Sequence, residues 1–586
     1  MSMPQLLTLT VFLPLIGAII LLAIGSRLDP LRARWIALGT VFVTTAATVM
    51  LVLGFLPDSN LPQFAFERGN VLGLPWIGLP NGSGIRFALG LDGISLWLFV
   101  LTSVLMITAV CASWESVKER TTTHYSLMLA LHTGLLGLFA SLDVVLFYVF
   151  FEFTLIPLFF LIGLYGGPER KRASITFFLY TLAGSLLTLL GVIALVVVNA
   201  RHAVDPLGDT LTFSMPKLAQ SLSAISETWP EWSRADSLLS PQVLIFLLLF
   251  AGFAIKVPLF PFHTWLPLAH VEAPTAGSIL LAGVLLKVGA YGLLRFNISM
   301  TPLGAKYLFP MLATIAVAGI IYGALAALAQ TDVKKLVAYS SVSHMGFIVL
   351  GMFAMNSTGL EGSVVQMINH GVTTGALFAC VGVIYERYHT REMSKMSGLW
   401  ERFPIFAFYF ILAALGSAAV PGLNGFVGEF PCIAGMFARS KPAAVVACLG
   451  MILGAYYLLW MIQRVLFGPL KEPTEHEEEH HDGHVGSHQD AHATHAPVRP
   501  FAWHEILGLT PLMVLIVFMG VYPKPVLNNI HAPVALLRHQ IEKAEAANEH
   551  STVALTKSKH SDKRNVRAAK VTMSRRPSQP IQDVSR

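Results

Sequence analysis

The sequence predicts an all-α integral membrane protein with about fourteen transmembrane helices. Of its 586 residues, 54% are hydrophobic and only 13% are charged, and the mean hydropathy is +0.63. A soluble core does not absorb so many long apolar runs. Runs of roughly 20 apolar residues, the length that crosses a bilayer, recur along the chain. The predicted spans, numbered 1 to 14 in order, are 5–25, 32–56, 92–113, 122–140, 142–167, 172–200, 241–269, 275–297, 306–329, 336–355, 364–388, 405–437, 442–467 and 502–522.

The two longest runs, 241–269 and 405–437, both contain helix breakers. Residues 181–193 also resemble 372–384 weakly, with a closing Gly-Val-Ile in each. Paired broken helices in two halves are typical of inverted-repeat transporters, so we predict two inverted five-helix repeats, each with a discontinuous helix. The expected divisions are 1–121 (spans 1 to 3), 122–297 (first repeat), 306–467 (second repeat), 468–501 (a His-rich loop), 502–522 (span 14) and 523–586 (a basic tail).

The basic residues predict the orientation. The loops after odd-numbered spans hold seventeen Lys and Arg, and the loops after even-numbered spans hold eight. Positive loops stay in the cytoplasm, so we expect the N-terminus outside it. Fourteen spans then place the C-terminus outside as well, although the tail from Lys524 to Arg586 is itself basic.

Residues 243–296 form the stretch around which the chain is organised. Lys256 ends an apolar run of thirteen residues, and Pro258 and Pro261 follow at once. Each proline removes a helix hydrogen bond, so the helix should break just after Lys256. Lys287 lies deep in the next apolar run, where a lysine costs at least ~2.5 kcal/mol. A broken helix with a titratable cation at its break is typical of an ion pathway.

Four more ionisable residues lie within or beside apolar runs, namely Glu152, His344, His370 and Glu429. Desolvation drives a lone carboxyl or ammonium toward its neutral form, so we expect Glu152 and Lys256 to stabilise each other's charge. Histidine suits a proton relay because its ordinary pKa is near 6.5. The plainer alternatives are a static ion pair, a snorkelling lysine, histidines bonded to neighbouring backbone, and a carboxylate in contact with interfacial water.

Other functions find little support in the sequence. The segment 476–495 holds seven histidines, of which His476, His480, His481 and His484 are weak metal-ligand candidates, but a solvated loop is the expected alternative. The four cysteines lack a CxxC pair, so structural zinc and iron–sulfur ligation are not expected. No dinucleotide or phosphate-binding glycine motif occurs. The net charge of +6 comes largely from loops and tail, so no nucleic-acid partner is expected.

Long segments of the chain resemble a known family. Residues 90–95, 150–166, 253–296, 330–347 and 421–430 are similar to the antiporter-like subunits of proton-pumping NADH:quinone oxidoreductase, respiratory complex I. Within that family the chain resembles subunit M, the bacterial counterpart of mitochondrial subunit 4. This choice rests on Glu429, where the L and N subunits carry lysine, and on the expectation that no long lateral helix follows span 14.

The resemblance implies a proton path through Glu152 and Lys256 as a coupled pair, Lys287 as central relay, His344 and His370 beyond it, and Glu429 on the outlet side. It implies that NADH, FMN, iron–sulfur clusters and quinone belong to other subunits, with no cofactor on this chain. The implied partners are the bilayer and the L and N subunits, in a bacterial inner membrane. A subunit of a Na⁺/H⁺ antiporter or of a membrane-bound hydrogenase is the alternative, and a structural spacer is disfavoured by six buried ionisable residues.

Overall fold

The structure is a computed structural model that describes residues 1–25, 28–57, 59, 61–68, 71–78, 84–202, 211–225, 229–473 and 499–573. A helix lies at the position of every predicted span. Eleven spans are unbroken: Met3–Ile24, Pro30–Leu53, Gly93–Ala112, Thr121–Ala140, Arg170–His202, Thr275–Ile298, Phe309–Leu328, Val333–Phe353, Ser357–Tyr388, Lys441–Leu466 and Trp503–Val521. Span 5 consists of Val144–Phe153 and Leu155–Tyr165, joined at Thr154.

The predicted membrane fold is confirmed, although the number of spans stays a prediction. In the described part of the chain, eleven helices are long and apolar enough to cross a bilayer. Span 4 and the two broken spans complete the predicted fourteen. Spans 3, 8, 10 and 11 lie innermost, since 83%, 100%, 94% and 100% of their apolar windows are buried. Lys287, His344 and His370 lie on three of these four spans.

Both discontinuous helices occur where the breakers predict them. Span 7 consists of two α-helices, Pro241–Lys256 and Trp265–Glu272, separated by the segment 257–264. Span 12 consists of Pro404–Ser417 and Asn424–Arg439. Gly422 lies in this second break with a φ of +92°, which glycine adopts without the steric cost that a side chain brings.

Small elements connect the spans. Two antiparallel strand pairs precede span 3, Glu67–Arg68 with Val71–Leu72 and Leu74–Gly78 with Gly84–Phe87. Short α-helices lie between other spans: Met215–Ala224, Pro302–Tyr307 and Leu399–Arg402. Among the described residues, 3₁₀ turns include Pro230–Ser233 and Met393–Lys395.

The expectation that no long helix follows span 14 is wrong. A 50-residue helix, Lys524–Met573, crosses the end of the bundle, and we call it the strap helix. Its apolar residues recur at helical spacing and are buried: Val526, Ile530, Val534, Leu537 and Ile541. This amphipathic stripe marks a surface-lying helix, and the many basic residues of the tail obscure it in the sequence. The strap contacts the bundle through His531 to Glu361, Gln540 to Ser299 and Lys306 to Glu545.

Candidate functional site

Lys287 meets His370 where spans 8 and 11 cross. Its Nζ lies 2.7 Å from His370 Nδ1 and donates to the Ala282 carbonyl at 2.5 Å. Lys287 is fully buried, so its ammonium does not snorkel to an interface. The crossing depends on two glycines, because a Cβ on Gly371 would lie 2.7 Å from the Gly283 carbonyl. This close approach of the two backbones brings lysine and imidazole together.

The helix around Lys287 is wound irregularly. Leu281–Leu285 and Leu293–Ile298 are π-helical, and the α-helical turns between them carry Lys287. π-bulges occur frequently at functional sites because they displace backbone carbonyls from the regular ladder. Ala282, whose carbonyl accepts from Lys287, belongs to the first π segment. The sequence contains no proline in span 8 that would have indicated this.

His344 and Glu429 continue the line of polar groups from His370. The rings of His370 and His344 lie 5.4 Å apart between centroids. His344 Nδ1 lies 2.6 Å from Glu429 Oε1, and Gln366 donates to the same oxygen at 2.9 Å. Glu429 is 2% exposed, so it is a buried carboxylate and not an interfacial one. Lys287, His370, His344 and Glu429 thus form one row, which we call the polar row.

The second ring nitrogen of His344 lies near two hydroxyl groups, and the second ring nitrogen of His370 has no partner in the described part of the chain. Ser417 Oγ and Tyr457 OH lie 3.2 and 3.4 Å from His344 Nε2. His370 Nε2 is buried and has no hydrogen-bond partner among the described residues. A ring with one nitrogen bonded and the other open can take a proton on one side and release it on the other. Sequence reasoning did not identify Gln366, Ser417 or Tyr457.

The break in span 12 positions Glu429. Asn369 donates to the Asn424 carbonyl at 2.6 Å, which ties span 11 to the first residue after the break. Gly428 lies against span 11 so closely that a Cβ would be 2.2 Å from Gln366 Oε1. The adjacent Glu429 is therefore held beside His344 by backbone contact between two helices.

Lys256 and Glu152 lie near each other without a direct ion pair. Lys256 is buried, and its Nζ sits 3.4 Å from the centre of the Phe151 ring and 3.4 Å from the Phe151 carbonyl. Glu152 interacts with it electrostatically, but the two groups are not within the 4.0 Å of an ion pair. Glu152 Oε1 is buried without a hydrogen-bond partner in the described residues. The two side chains therefore interact at a distance and not as a contact ion pair, because the Phe151 ring lies against the Lys256 ammonium.

The break in span 7 also contacts the helix of Lys287. A Cβ on Gly289 would lie 2.9 Å from the Val257 backbone nitrogen and 3.1 Å from the Lys256 carbonyl carbon. The end of the first half of span 7 therefore packs directly on span 8, close to Lys287. His263 lies within this break and contacts Phe260 and Tyr322, away from the polar row's hydrogen bonds.

His270 is a buried residue that sequence reasoning missed. It is 0% exposed, its ring stacks on Phe378 at 4.7 Å, and neither ring nitrogen has a hydrogen-bond partner in the described part of the chain. It interacts electrostatically with both Lys334 and Lys287. The sequence did contain one indication of a functional role, because His270 lies in the predicted span 7, fourteen residues after Lys256.

A cavity of about 160 Å³, which we call the vestibule, is lined by Val271, the residue after His270, and by Phe378, on which the His270 ring stacks. Lys334 lines it and donates to the Ala273 carbonyl at 2.6 Å. Glu272 accepts from the Glu169 backbone at 2.9 Å. The vestibule has room for several waters, each needing two to four polar partners. Its other lining residues come from the loops after spans 5, 7 and 11 and from span 11: Tyr165, Gly166, Gly167, Pro168, Pro274, Thr275, Val381, Gly382, Tyr385 and Arg391.

The metal-ligand candidates His476, His480, His481 and His484 lie outside the described residues. Within the described ranges, no group of three or more His, Cys, Asp or Glu side chains is arranged to hold a metal ion. Cys111, Cys380 and Cys432 are buried free thiols there.

The polar row and both breaks lie inside the part of the chain that matches a known family. A family profile described as "NADH:quinone oxidoreductase/Mrp antiporter, TM" matches residues 141–454. NADH-quinone oxidoreductase subunit M of Rhodobacter capsulatus is 38% identical over 539 residues, covering 91% of this chain and 96% of that protein. NADH-ubiquinone oxidoreductase chain 4 of Chondrus crispus is 38% identical over 526 residues, covering 90% and 96%.

Solved structures with the same fold include two kinds of complex. A chain of respiratory complex I from Thermus thermophilus with bound NADH is 29% identical, with a TM-score of 0.72, and covers 90% of this chain and 99% of that one. A chain of the Mrp complex from Dietzia sp. DQ12-45-1b has a TM-score of 0.74 at 23% identity, covering 93% and 100%. The second likeness shows the fold alone.

Proposed function

The chain belongs to the NADH:quinone oxidoreductase/Mrp antiporter membrane family, within the group of subunit M and chain 4, and we propose that it carries protons through the membrane arm of a proton-pumping NADH:quinone oxidoreductase. The observation that carries this proposal is the polar row from Lys287 to Glu429, whose contacts of 2.7 and 2.6 Å join four buried side chains. Charged groups at such depth are expensive and mark ion paths.

Protons enter this path at the vestibule, whose lining loops follow odd-numbered spans and are predicted to be cytoplasmic. Lys334 and His270 pass a proton to Lys287. The Lys287 ammonium then gives its proton to His370 Nδ1, His370 releases a proton from Nε2 to His344, and His344 Nδ1 gives one to Glu429. Each step moves one proton. Glu429 then releases its proton on the other side of the membrane, the two imidazoles return to their starting tautomers, and Lys287 returns to its charged form when the next proton arrives from His270.

Lys256 acts as the switch of this path. Its ammonium lies at the end of a broken helix that packs on span 8 at Gly289. A positive charge here opposes a second positive charge on Lys287, because like charges disfavour each other at low local dielectric. Glu152 offsets the charge of Lys256 when the two approach and withdraws that compensation when they separate. Quinone reduction elsewhere in the complex would drive this change.

We take the cofactors, the neighbouring subunits and the location of the complex from the family to which the chain belongs. This chain carries no redox centre, and NADH, FMN, iron–sulfur clusters and quinone bind to other subunits. Its neighbours in the arm are the L- and N-type subunits, and the complex lies in a bacterial inner membrane with this chain's N-terminus outside the cytoplasm. The sequence relationship supports this reading over a sodium antiporter or hydrogenase subunit, since R. capsulatus subunit M is 38% identical while the Mrp likeness of 23% concerns fold.

The test replaces Lys287 with alanine in the complete enzyme. NADH-driven proton uptake into inverted membrane vesicles should fall at least about tenfold, because the central proton donor is lost. Lys335→Ala is the matched control, since Lys335 is an exposed lysine one residue from Lys334 and outside the path. Assembly is checked on native gels. Near-normal uptake by an assembled Lys287→Ala enzyme overturns the proposal.

A further inference from the structure

A second buried polar site lies apart from the polar row, where spans 3, 11 and 14 meet. It surrounds a cavity of about 20 Å³ lined by Glu386 of span 11 and by His504 and Glu505 of span 14. A cavity of this size holds about one water molecule. The remaining walls are largely apolar, so the few polar groups determine what occupies it.

His504 is the unusual member of this site. Its side chain is 4% exposed, and neither ring nitrogen has a hydrogen-bond partner among the described residues. Trp114 stacks on the ring with centroids 6.4 Å apart, which holds its orientation. A buried imidazole without a protein partner is destabilising unless a water satisfies it. The cavity supplies room for that water.

The outer end of the site reaches solvent. His504 Nε2 lies 3.6 Å from Glu115 Oε1, and Glu115, at 43% side-chain exposure, bonds Arg499 at 2.6 Å. Arg387 holds both oxygens of Glu505 at 2.7 and 2.8 Å, which fixes span 14 to span 11. Both oxygens of Glu505 are thereby engaged, whereas Arg499 engages only Oε2 of Glu115 and leaves Oε1 facing His504.

The inner end of the site reaches the vestibule. Thr275 and Gly382 line both cavities. At that point the helices touch, since a Cβ on Gly382 would lie 2.4 Å from Thr275 Cγ2. The Thr275 hydroxyl can both accept and donate a hydrogen bond, so it can link a water in the small cavity to water in the vestibule.

We propose that Glu115, His504 and Glu386 form a second proton-collecting site, which delivers protons through a bound water and Thr275 to the vestibule. One proton is taken from solvent by Glu115 for each proton that leaves at Thr275, so the site returns to its starting charge. The inference rests on the proposed function. The titratable and charged groups around His504 are Cys111 and Glu115 at the end of span 3, Glu386 and Arg387 of span 11, Arg499, and Glu505 of its own helix.

The test compares pH profiles of NADH-driven proton uptake by the assembled enzyme in inverted vesicles. His504→Leu and His504→Gln should lower uptake by about tenfold near pH 9 and by less than about twofold near pH 6, because a collecting site matters where protons are scarce. Cys111→Ala, which alters the same cavity wall without a proton carrier, should keep the wild-type profile. His504→Gly should regain the alkaline rate when imidazole is added, whereas His504→Leu should not.

The outcomes separate the two proposals. If Lys287→Ala abolishes uptake but His504→Leu and His504→Gln keep the wild-type profile, the collecting site is wrong and the proton path stands. An equal loss by the His504 variants at every pH, without rescue by imidazole, also overturns the collecting site, since it indicates a structural role. If the Lys287→Ala enzyme pumps normally, the proposed function is wrong, and so is the collecting site that rests on it.

Discussion

At the scale of single residues, the candidate site can be predicted from the sequence because burying an ionisable side chain is energetically costly. Lys256, Lys287, His344, His370 and Glu429 are all buried, as their apolar neighbours suggested. The partners were not predictable, because Lys287 and His370 are 83 residues apart and meet only through helix crossing. His270 was missed for a related reason, since its neighbours along the chain give no sign that Lys334 and Lys287 lie near it.

The separation of Glu152 from Lys256 leads to a prediction about charge. Lys256→Ala and Glu152→Gln should each largely abolish proton pumping in complexes that still assemble. Assembly should survive because no ion pair of the kind whose breakage costs about 3–5 kcal/mol joins the two side chains. Glu152→Asp keeps the charge and should retain substantial activity. NADH-driven proton uptake in inverted vesicles, with native gels, measures both effects.

The control for this prediction is Val149, an exposed apolar residue on the same helix as Glu152. Val149→Ala leaves both charges in place and should pump at close to the wild-type rate. Near-normal pumping by assembled Lys256→Ala would instead assign Lys256 a packing role on the Phe151 ring.

At the scale of helices, the sequence predicted the two breaks better than it predicted how helices fit together. Prolines and glycines act locally, so the ends at Lys256 and Ser417 follow from neighbouring residues. The π segments of span 8 are set by packing against other spans, and no local residue indicates them. The strap helix was overlooked because its apolar stripe is narrow and its composition is that of a basic tail.

The glycine crossing between spans 8 and 11 gives a prediction at this scale. Gly371→Ala should reduce proton uptake by at least about tenfold, since its Cβ would lie 2.7 Å from the Gly283 carbonyl and force the helices apart. Gly375→Ala, one turn along the same helix, meets only the flexible end of Leu105 and should pump nearly normally. Comparable losses in both assembled variants would show that the crossing distance does not control transfer between Lys287 and His370.

At the scale of the whole molecule, the vestibule and the strap helix belong to opposite sets of loops. The vestibule is lined by the loops after spans 5, 7 and 11, by the part of span 11 that adjoins its loop, and by Lys334 at the start of span 10. The strap contacts Glu361 near the start of span 11 and Ser299 and Lys306 between spans 8 and 9. Counted on the fourteen predicted spans, the vestibule lies at odd-numbered loops and the strap helix at even-numbered loops, so we expect them on opposite sides of the bilayer. The basic loops predict that the vestibule faces the cytoplasm.

Single cysteines test this assignment. Cys448, the exposed native cysteine, is first replaced with serine. In that background Glu169→Cys, at the exposed rim of the vestibule, should react with a membrane-impermeant maleimide in inverted vesicles and not in right-side-out ones. His531→Cys, on the strap helix with a side chain 74% exposed, should show the reverse. Labelling of both from one face would mean that the number of spans between them is wrong. Labelling of each from the opposite face would invert the orientation and make the vestibule an outlet, because the proton path has direction only relative to the membrane.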